Sequence, residues 1–401
     1  MNEAIIYDGI RTPIGRHAGA LAKIRPDELL ATTIRALVSR SDFDLSLIED
    51  VIAGDTNQAG EDCRNIARNA GLLGGLPVSV GGITINRLCG SGAAAVLDAS
   101  RAIKSDEGQM FIAGGVESMS RAPWIMSKAE SAYGRDQQLQ DSTIGWRFPN
   151  PRFYKEFGSE TMPETADNIA KDLDINREDS DVFAHASQQK YAAAKADGFY
   201  KEEILAVETP GANRKAANII VAEDEHPRAE TTLEKLGNLK ALFKDGVVTA
   251  GNASGINDGA AALLLGSKDI GDKLGLKPRA KVLAGAIAGV EARVMGLGPV
   301  PASQKALQRA GITLKDLDVI EVNEAFATQV LGCLKQLGIP FDDERVNVNG
   351  GAIAIGHPLG ASGARLILTA MRQLERTGGR YALVTMCIGL GQGIAVVIER
   401  I

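Results

Sequence analysis

The sequence predicts an α/β fold in which one folding unit occurs twice along the chain. Two short apolar runs, Glu49–Gly54 and Gln109–Gly115, have the length and composition of buried strands. Between them, Gly92–Ile103 has the apolar spacing of a helix that is entered through a Gly-Ser-Gly turn. Strands that alternate with helices indicate parallel sheets covered by helices on both faces.

The same elements recur late in the chain at a nearly constant spacing. Three segments recur at offsets of 268, 271 and 271 residues: Asp50–Ile52 as Asp318–Ile320, Ser91–Ala93 as Ser362–Ala364, and Phe111–Ala113 as Ala382–Val384. A constant offset over three elements indicates an internal duplication. The alternative is a chance likeness between two ordinary α/β segments.

A stretch of different character separates the two halves. Residues 119–249 are richer in charge and contain irregular segments such as Ile144–Pro151. Long insertions on a rigid scaffold commonly shape a binding site. We therefore predict a first half formed by residues 1–118 with 250–270, an inserted loop domain over 119–249, and a second half over 271–401.

The composition argues against several classes of function. A formal net charge of −6 does not suggest the basic surface that nucleic-acid binding requires. No apolar run reaches the roughly 18 residues of a membrane helix, and residues 4–7 are too few for a signal peptide. The four cysteines form no CxxC pattern: Cys63, Cys89, Cys333 and Cys387. The sequence predicts a cytoplasmic protein with free thiols and with no metal, nucleic-acid or membrane partner.

Cys89 is the first candidate for a nucleophile. It lies in the segment Asn86–Gly92, between an apolar strand and the predicted helix. The free N–H groups and the dipole at a helix N-terminus favour a thiolate, and the same N–H groups can hold a developing oxyanion. The alternative is a small buried cysteine that only packs.

His357 is the candidate for the base that activates this thiol. It is one of four histidines and lies in the glycine-rich segment Gly350–Gly360, just before the duplicated helix start at Ser362. If the halves pack about a pseudo-twofold axis, the two helix entrances face each other and the imidazole lies beside the thiol. The alternative is a hydrogen-bonded structural histidine.

Two further candidates follow predicted strands of the second half. Cys387 precedes a run of glycines, and a second thiol there can exchange a proton with a carbon acid; packing alone is the alternative. Asn323 follows Val319–Val322, where its amide can orient a water or donate to a carbonyl oxygen. A helix N-cap is its other role, and the two are compatible. No GxGxxG opens the first βα unit, and no GxxxxGK[ST] is present, which weakens a dinucleotide-binding interpretation.

Taken together, the motifs resemble those of the thiolase family over nearly the whole chain. They are Asp8–Gly15, Asn86–Gly92, Gly114–Ser120, Gly251–Gly255, Asn323–Phe326, Gly356–Pro358 and Cys387–Gly389. Thr143–Pro151 and Asn57–Asp62 most resemble the members that cleave 3-oxoadipyl-CoA in aromatic-compound catabolism. The resemblance implies two βαβαβαββ halves packed as a five-layer αβαβα core, with the inserted loop domain on it.

The resemblance also implies a two-step reaction. His357 activates Cys89, the thiolate attacks the 3-keto carbon, and Cys387 protonates the acetyl-CoA enolate that leaves. Coenzyme A then takes the acyl group from Cys89. One oxyanion hole is implied to use His357 with a water held by Asn323, and the other to use the N–H groups of Cys89 and Gly389.

The remaining implied contacts concern coenzyme A, which acts as a co-substrate; no permanently bound cofactor is implied. Arg228 is implied to meet the adenine nucleotide, and the pantetheine channel is implied to be lined and closed by Met162, Phe243, Ala250, Ser254, Ala325 and Phe326. A substrate that ends in a carboxylate needs a cation, and Arg147 is the candidate because its guanidinium pairs well with carboxylates. The alternative for Arg147 is a structural ion pair at the surface. A homotetramer built from dimers is expected.

Three other readings of the function stay open at this point. The first is a thiolase for acetoacetyl-CoA or for longer 3-ketoacyl-CoA chains. The second is a decarboxylating condensing enzyme of the same architecture, against which Cys387 argues. The third is a CoA-binding protein without catalysis.

Overall fold

The computed structural model describes residues 2–211, 213 and 215–401. The first half contains β1 (Ala4–Arg11), β2 (Gly15–Arg16), α1 (Pro26–Val38), β3 (Asp50–Gly54), α2 (Ile66–Leu73), β4 (Gly81–Ile85), α3 (Ser91–Lys104) and β5 (Met110–Ser118). The insertion follows, with β6 (Trp124–Met126), β7 (Leu139–Asp141), α4 (Pro151–Phe157), α5 (Met162–Asp172), α6 (Arg177–Ala196), β8 (Val207–Thr209), β9 (Ile219–Val221) and α7 (Leu233–Gly237). The chain then returns to the first half through β10 (Asn257–Ser267) and α8 (Lys268–Leu274).

The second half repeats this order without an insertion. It contains β11 (Ala280–Gly289), α9 (Pro299–Ala310), β12 (Val319–Val322), α10 (Ala327–Leu337), α11 (Ala352–Ile355), α12 (Leu359–Thr377), β13 (Tyr381–Ile388) and β14 (Gln392–Arg400). Between β13 and β14 the chain turns within three residues, whereas between β5 and β10 it makes the whole insertion. This difference explains why the two halves have unequal lengths.

The two sheets have the same strand order, which confirms the duplication. The first runs β4-β3-β5-β10-β1, with β3 parallel to β4 and β5 and the other pairs antiparallel. The second runs β12-β13-β14-β11, with β12 parallel to β13. A parallel bridge between Ile320 and Val346 occupies the place that β4 has in the first sheet. The sheets join where β1 meets β11, at Ile5–Lys281 and Ile6–Ala280.

Three apolar cores separate five layers of structure. The central core lies between the sheets and consists largely of α3, α12 and the inner faces of the strands. A second core packs α1 and α2 against the outer face of the first sheet. A third packs α9 and α10, with part of the insertion, against the outer face of the second sheet. The five-layer αβαβα arrangement is therefore confirmed.

Helices α3 and α12 contact each other backbone to backbone at the centre of the molecule. A Cβ atom added to Gly92 would lie 2.6 Å from the carbonyl oxygen of Gly360 and 2.9 Å from the nitrogen of Ala364. A Cβ atom added to Gly363 would overlap the backbone nitrogen of Ala93. Only glycine permits this approach, so the repeated Ser-Gly-Ala segments bring the two helix entrances together.

The insertion is tied to the first half by a buried cluster of charges. Arg11 on β1 donates to Glu203 at 2.5 Å and forms a two-point contact with Asp224 at 2.6 and 2.9 Å. Bidentate pairing of this kind satisfies the charges that burial would otherwise penalise. The insertion is thereby held against the core at a fixed position.

Within the described residues, no helix combines the length and apolar character needed to cross a membrane. The same residues bring no group of three or more His, Cys, Asp or Glu side chains into an arrangement suited to a metal ion.

Candidate active site

Cys89 lies in a strained turn between β4 and α3. Leu88 adopts a left-handed conformation with φ of 47°, and such strain is often stored at functional sites. The hydroxyl of Ser91 stabilises the turn, because it accepts from the N–H of Arg87 at 2.9 Å and donates to the carbonyl of Leu88 at 2.6 Å. Asn86 adds a third bond, accepting from the N–H of Leu88 at 3.0 Å. The thiol is thereby presented at the entrance of α3.

The surroundings of Cys89 correct the expectation of a stabilised thiolate. Burial raises the pKa of Cys89 to about 11, although the N–H groups of Gly389 and Cys89 itself donate to the sulfur and lower it. The rise in pKa caused by desolvation is therefore larger than the lowering by the N–H groups at the start of α3. The resting group is a neutral thiol. A base is then needed to remove its proton.

His357 is held by hydrogen bonds on both ring nitrogens and on its backbone. Nδ1 lies 2.6 Å from the hydroxyl of Ser362, which itself donates to the carbonyl of Pro358 at 2.8 Å. That hydroxyl therefore accepts from Nδ1–H, so Nε2 is the ring nitrogen whose lone pair can take a proton. The amide nitrogen of Asn323 lies 3.3 Å from Nε2, and Asn257 accepts from the backbone N–H of His357 at 2.9 Å.

Electrostatics keep this imidazole neutral. Burial is the main cause that lowers the pKa of His357 to about 3, and the charge of Arg365 lowers it further. A neutral imidazole is the form in which a histidine can act as a general base toward a thiol.

Cys387 lies at the end of β13 in a small apolar cluster with Ala325, Phe326 and Met295. Burial raises the pKa of its thiol well above the usual value, and the neighbouring Cys89 contributes to the rise. The two thiols are therefore close enough to influence each other. A buried thiol that holds its proton is suited to give that proton to a carbanion.

The site contains two groups of polar atoms that can act on a carbonyl oxygen. The N–H groups of Cys89 and Gly389 converge on the sulfur of Cys89, and the amide of Asn323 contacts Nε2 of His357. Each arrangement can stabilise an oxygen on which negative charge develops. The geometry supports chemistry in which two carbonyl oxygens gain charge in turn.

Two family models match this chain in succession. The model for the thiolase N-terminal domain matches residues 4–269, and the model for the thiolase C-terminal domain matches residues 276–400. The chain belongs to the thiolase family.

Similar proteins match this thiolase over its full length. A 3-oxoadipyl-CoA/3-oxo-5,6-dehydrosuberyl-CoA thiolase of Escherichia coli is 58% identical, and the match covers 100% of both chains. A beta-ketoadipyl-CoA thiolase of Acinetobacter baylyi is 55% identical, again over 100% of both chains. The crystal structure of human mitochondrial 3-ketoacyl-CoA thiolase in complex with CoA is 38% identical with a TM-score of 0.90, covering 100% of this chain and 98% of that chain.

The residues expected to bind coenzyme A divide into two groups in the thiolase. Those near the thiols are in contact: Met162 packs in the cluster that holds Ala325, Phe326 and Cys387, and Ser254 donates its N–H to the carbonyl of Ala325 at 3.0 Å. The others lie at the surface of the insertion or beside it: Arg228, Phe243 and Ala250. The contacts of these residues with coenzyme A remain predictions.

Arg147 lies in a half-buried position beside the site. Its neighbour Trp146 covers Gly389, because a Cβ atom built on that glycine would lie 3.1 Å from the indole ring. Arg147 makes a long contact of 3.5 Å with the side-chain oxygen of Asn57, which is anchored by a 3.0 Å bond to Ser142. Among residues 2–211, 213 and 215–401, no carboxylate forms an ion pair with Arg147. The structure thus does not support the alternative of a structural ion pair.

Three residues of the site were missed in the sequence. Ser362 lies five residues after His357, and in the sequence it stands out only as part of the repeat, although a hydroxyl in the first turn of α12 is well placed to orient a preceding histidine. Asn257 is distant in sequence, and no local pattern links it to His357. Trp146 lies in the segment Thr143–Pro151, but its position over Gly389 depends on how the insertion folds back.

Proposed function

We propose that this thiolase cleaves 3-oxoadipyl-CoA with coenzyme A to give succinyl-CoA and acetyl-CoA, in the catabolism of aromatic compounds. The observation that carries the proposal is the neighbouring pair of thiols, Cys387 and Cys89. The sulfur of Cys89 accepts from the N–H of Gly389, and Trp146, the chain neighbour of the unpaired Arg147, covers that glycine. The names of the two bacterial relatives support the substrate. The enzyme is an acyltransferase, with coenzyme A as its co-substrate and a cytoplasmic setting.

The first half-reaction is proposed to begin at the start of α3 and the start of α12. Nε2 of His357 takes the proton of Cys89, and the thiolate attacks the 3-keto carbon. The oxygen of that carbon lies nearest the N–H groups of Cys89 and Gly389, since both point at the sulfur. The Cα–Cβ bond breaks, the carbonyl re-forms on Cys89, and the enolate oxygen of acetyl-CoA meets His357 and a water held by Asn323.

Cys387 completes the first half-reaction and begins the second. Its thiol gives a proton to the enolate carbon, and acetyl-CoA leaves. The resulting thiolate takes the proton of incoming coenzyme A, whose sulfur attacks the succinyl group on Cys89. Succinyl-CoA leaves, and Cys89 recovers the proton that His357 held. Each proton removed in the cycle is thus returned.

The test of the substrate compares turnover of 3-oxoadipyl-CoA, acetoacetyl-CoA and a longer 3-ketoacyl-CoA by the same preparation. The proposal expects the highest kcat/KM for 3-oxoadipyl-CoA. A higher value for either of the other two would replace it with the corresponding alternative.

Arg147 is proposed to bind the free carboxylate of the substrate. A guanidinium held beside the acyl side of the site, with no protein carboxylate on it, is suited to pair with a dicarboxylate acyl chain. Arg147→Ala should lower kcat/KM for 3-oxoadipyl-CoA by about 10- to 100-fold, the worth of a charge-assisted hydrogen bond. Turnover of acetoacetyl-CoA, which has no carboxylate there, should change little.

The matched control is Arg152→Ala, which removes an exposed arginine of the same insertion that pairs with Glu156. It should leave both substrates unaffected. An equal loss on both substrates in Arg147→Ala would show that Arg147 supports the structure and does not select the substrate.

We also propose a homotetramer built from dimers. Strand β4 lies at the end of its sheet with no further partner strand in the described part of the chain, and it exposes Ile83 beside the exposed Val78. The β6–β7 hairpin exposes Trp124, Met126 and Leu139. Two separate apolar surfaces fit two different contacts between copies. Light scattering on the purified protein tests this, and a monomer would contradict it.

A further inference from the structure

A buried pair of opposite charges lies beside His357 and has no part in the reaction described above. Glu321 is on β12 and Arg365 on α12, and the side chains are 0% and 1% exposed. The closest approach between them is 3.8 Å, from Nη1 to Oε2. That distance is too long for a direct hydrogen bond.

The pair is not satisfied by its protein neighbours. Neither carboxylate oxygen of Glu321 and none of the three nitrogens of Arg365 has a hydrogen-bond partner among the residues that the structure describes. Burying charges in this way costs more stability than such a pair returns. A costly pair in the core, next to a reactive group, is a candidate for a role in the chemistry.

The position of the pair points to His357. Glu321 is on β12 and Asn323, two residues later, directly follows that strand, so their side chains face the same side of the sheet. Asn323 contacts Nε2 of His357. Arg365 lies three residues after Ser362 on α12, so the two share a helix face, and Ser362 contacts Nδ1. The pair therefore flanks both residues that hold the imidazole.

We propose that Glu321 and Arg365 are positioning residues that set the charge balance under which His357 takes the proton of Cys89. This role rests on the proposed function, in which His357 becomes an imidazolium for part of each cycle. The charge of Arg365 opposes the imidazolium and keeps the resting imidazole neutral. When ionised, Glu321 offsets part of that opposition, so the imidazolium forms more readily as Cys89 reacts.

Other charged groups also face Glu321 and are part of the balance. They are Glu324 after β12, Glu203 from the insertion, and Lys190 on α6. Burial raises the pKa of Glu321 to about 8, against the lowering effect of Arg365. Both members of the pair are therefore charged at pH 9, which is the pH for the test.

The experiment measures the rate at which iodoacetamide alkylates Cys89 at pH 9, with the modified peptide identified by mass spectrometry. E321Q leaves Arg365 unbalanced, disfavours the thiolate–imidazolium pair, and should slow alkylation by about tenfold, equivalent to one pKa unit. R365M removes the opposing charge and should accelerate alkylation by a similar factor. R365K keeps the charge and should show an alkylation rate near that of the protein without substitutions.

Arg372→Met is the matched control, because Arg372 is a buried arginine further along the same helix that pairs with Glu202. It should leave the alkylation rate unchanged. Opposite shifts in E321Q and R365M support the proposal, whereas equal losses in both, or no change in either, would overturn it. If R365M does not fold, as judged by thermal melting, slower alkylation in E321Q with an unchanged rate in R365K supports the proposal, and an unchanged rate in E321Q overturns it.

A further variant separates this proposal from the proposed function. His357→Ala should slow alkylation of Cys89 at pH 9, because the base is gone. If His357→Ala has no effect, the pairing of His357 with Cys89 is wrong. If it has the expected effect while E321Q and R365M have none, only the role of the charge pair fails.

Discussion

The entrances of α3 and α12 are built alike but carry different chemistry. Cys89 and His357 each lie two residues before the first residue of their helix. Ser91 and Ser362 are repeat partners, and each hydroxyl donates to a carbonyl of the turn before its helix. In the first half the serine binds only backbone groups, whereas in the second half it also binds the reactive side chain.

The difference arises from one additional turn of helix in the second half. By the repeat offset, the partner of Cys89 is Gly360, so His357 precedes the equivalent position by three residues. Helix α12 correspondingly begins three residues earlier than α3 in the repeat register. The added turn places Ser362 within the helix, where it can hold Nδ1 while Nε2 is turned to Asn323. A duplicated scaffold thus supplies a nucleophile from one copy and a base from the other.

The largest expected effect comes from removing the base. His357→Ala should lower kcat/KM for thiolysis by about 10²- to 10⁴-fold, the usual contribution of a general base. His17→Ala is the control, since His17 is an exposed histidine of the first half. A loss below about fivefold in His357→Ala, with the control unchanged, would contradict the assignment of His357 as the base and Cys89 as the nucleophile.

Acid should destabilise the fold through His357 at the start of α12, and not through Cys89 at the start of α3. The pKa of His357 is lowered from 6.5 to about 3, so between these values the unfolded chain binds a proton that the folded chain does not. The contribution of His357 to the free energy of unfolding is fully present above about pH 6.5. It decreases toward pH 3 by up to about 1.4 kcal/mol per pH unit. Urea unfolding of the native protein and of His357→Gln at several pH values tests this. An equal pH dependence in both would contradict it.

A glycine at the contact between the entrances should matter for stability. Gly363→Ala places a methyl group against the backbone of Ala93, which should cost about 1–3 kcal/mol of unfolding free energy as overpacking does. Gly237→Ala is the matched control, because nothing lies within 4 Å of a Cβ atom there. If Gly363→Ala unfolds at the same urea concentration as the control, the helices are not packed backbone to backbone.

The smallest expected effects separate the two serines. Ser362→Ala should lower kcat by about tenfold with KM nearly unchanged, because His357 loses the partner that fixes its tautomer. Ser91→Ala should lower the unfolding free energy by about 1 kcal/mol, since it removes bonds within the turn, and should affect kcat less. If Ser91→Ala reduces kcat as strongly as Ser362→Ala, the proposed difference between the entrances is wrong.

Much of the fold follows from local patterns, whereas the electrostatics of the site do not. The apolar runs around Ile52 and Ile112 and the repeated Ser-Gly-Ala segments predict the strands, the helices and the duplication, because each pattern acts over a few residues. The boundaries of the first half, the inserted loop domain and the second half remain predictions. The pKa of Cys89 could not be predicted, since the burial that raises it depends on β13, the insertion and α3 meeting in space. The bond from Asn257 to His357 joins residues 100 positions apart and has no signal in sequence.

The central claim is that Cys89 carries the acyl group, and trapping the intermediate tests it most directly. The protein is incubated with succinyl-CoA in the absence of free coenzyme A, quenched in acid and digested, and its peptides are analysed by mass spectrometry. The account predicts one succinyl group on the peptide that contains Cys89, its loss on addition of coenzyme A, and none in Cys89→Ala. A succinyl group on Cys387, or no acylated peptide at all, would contradict it.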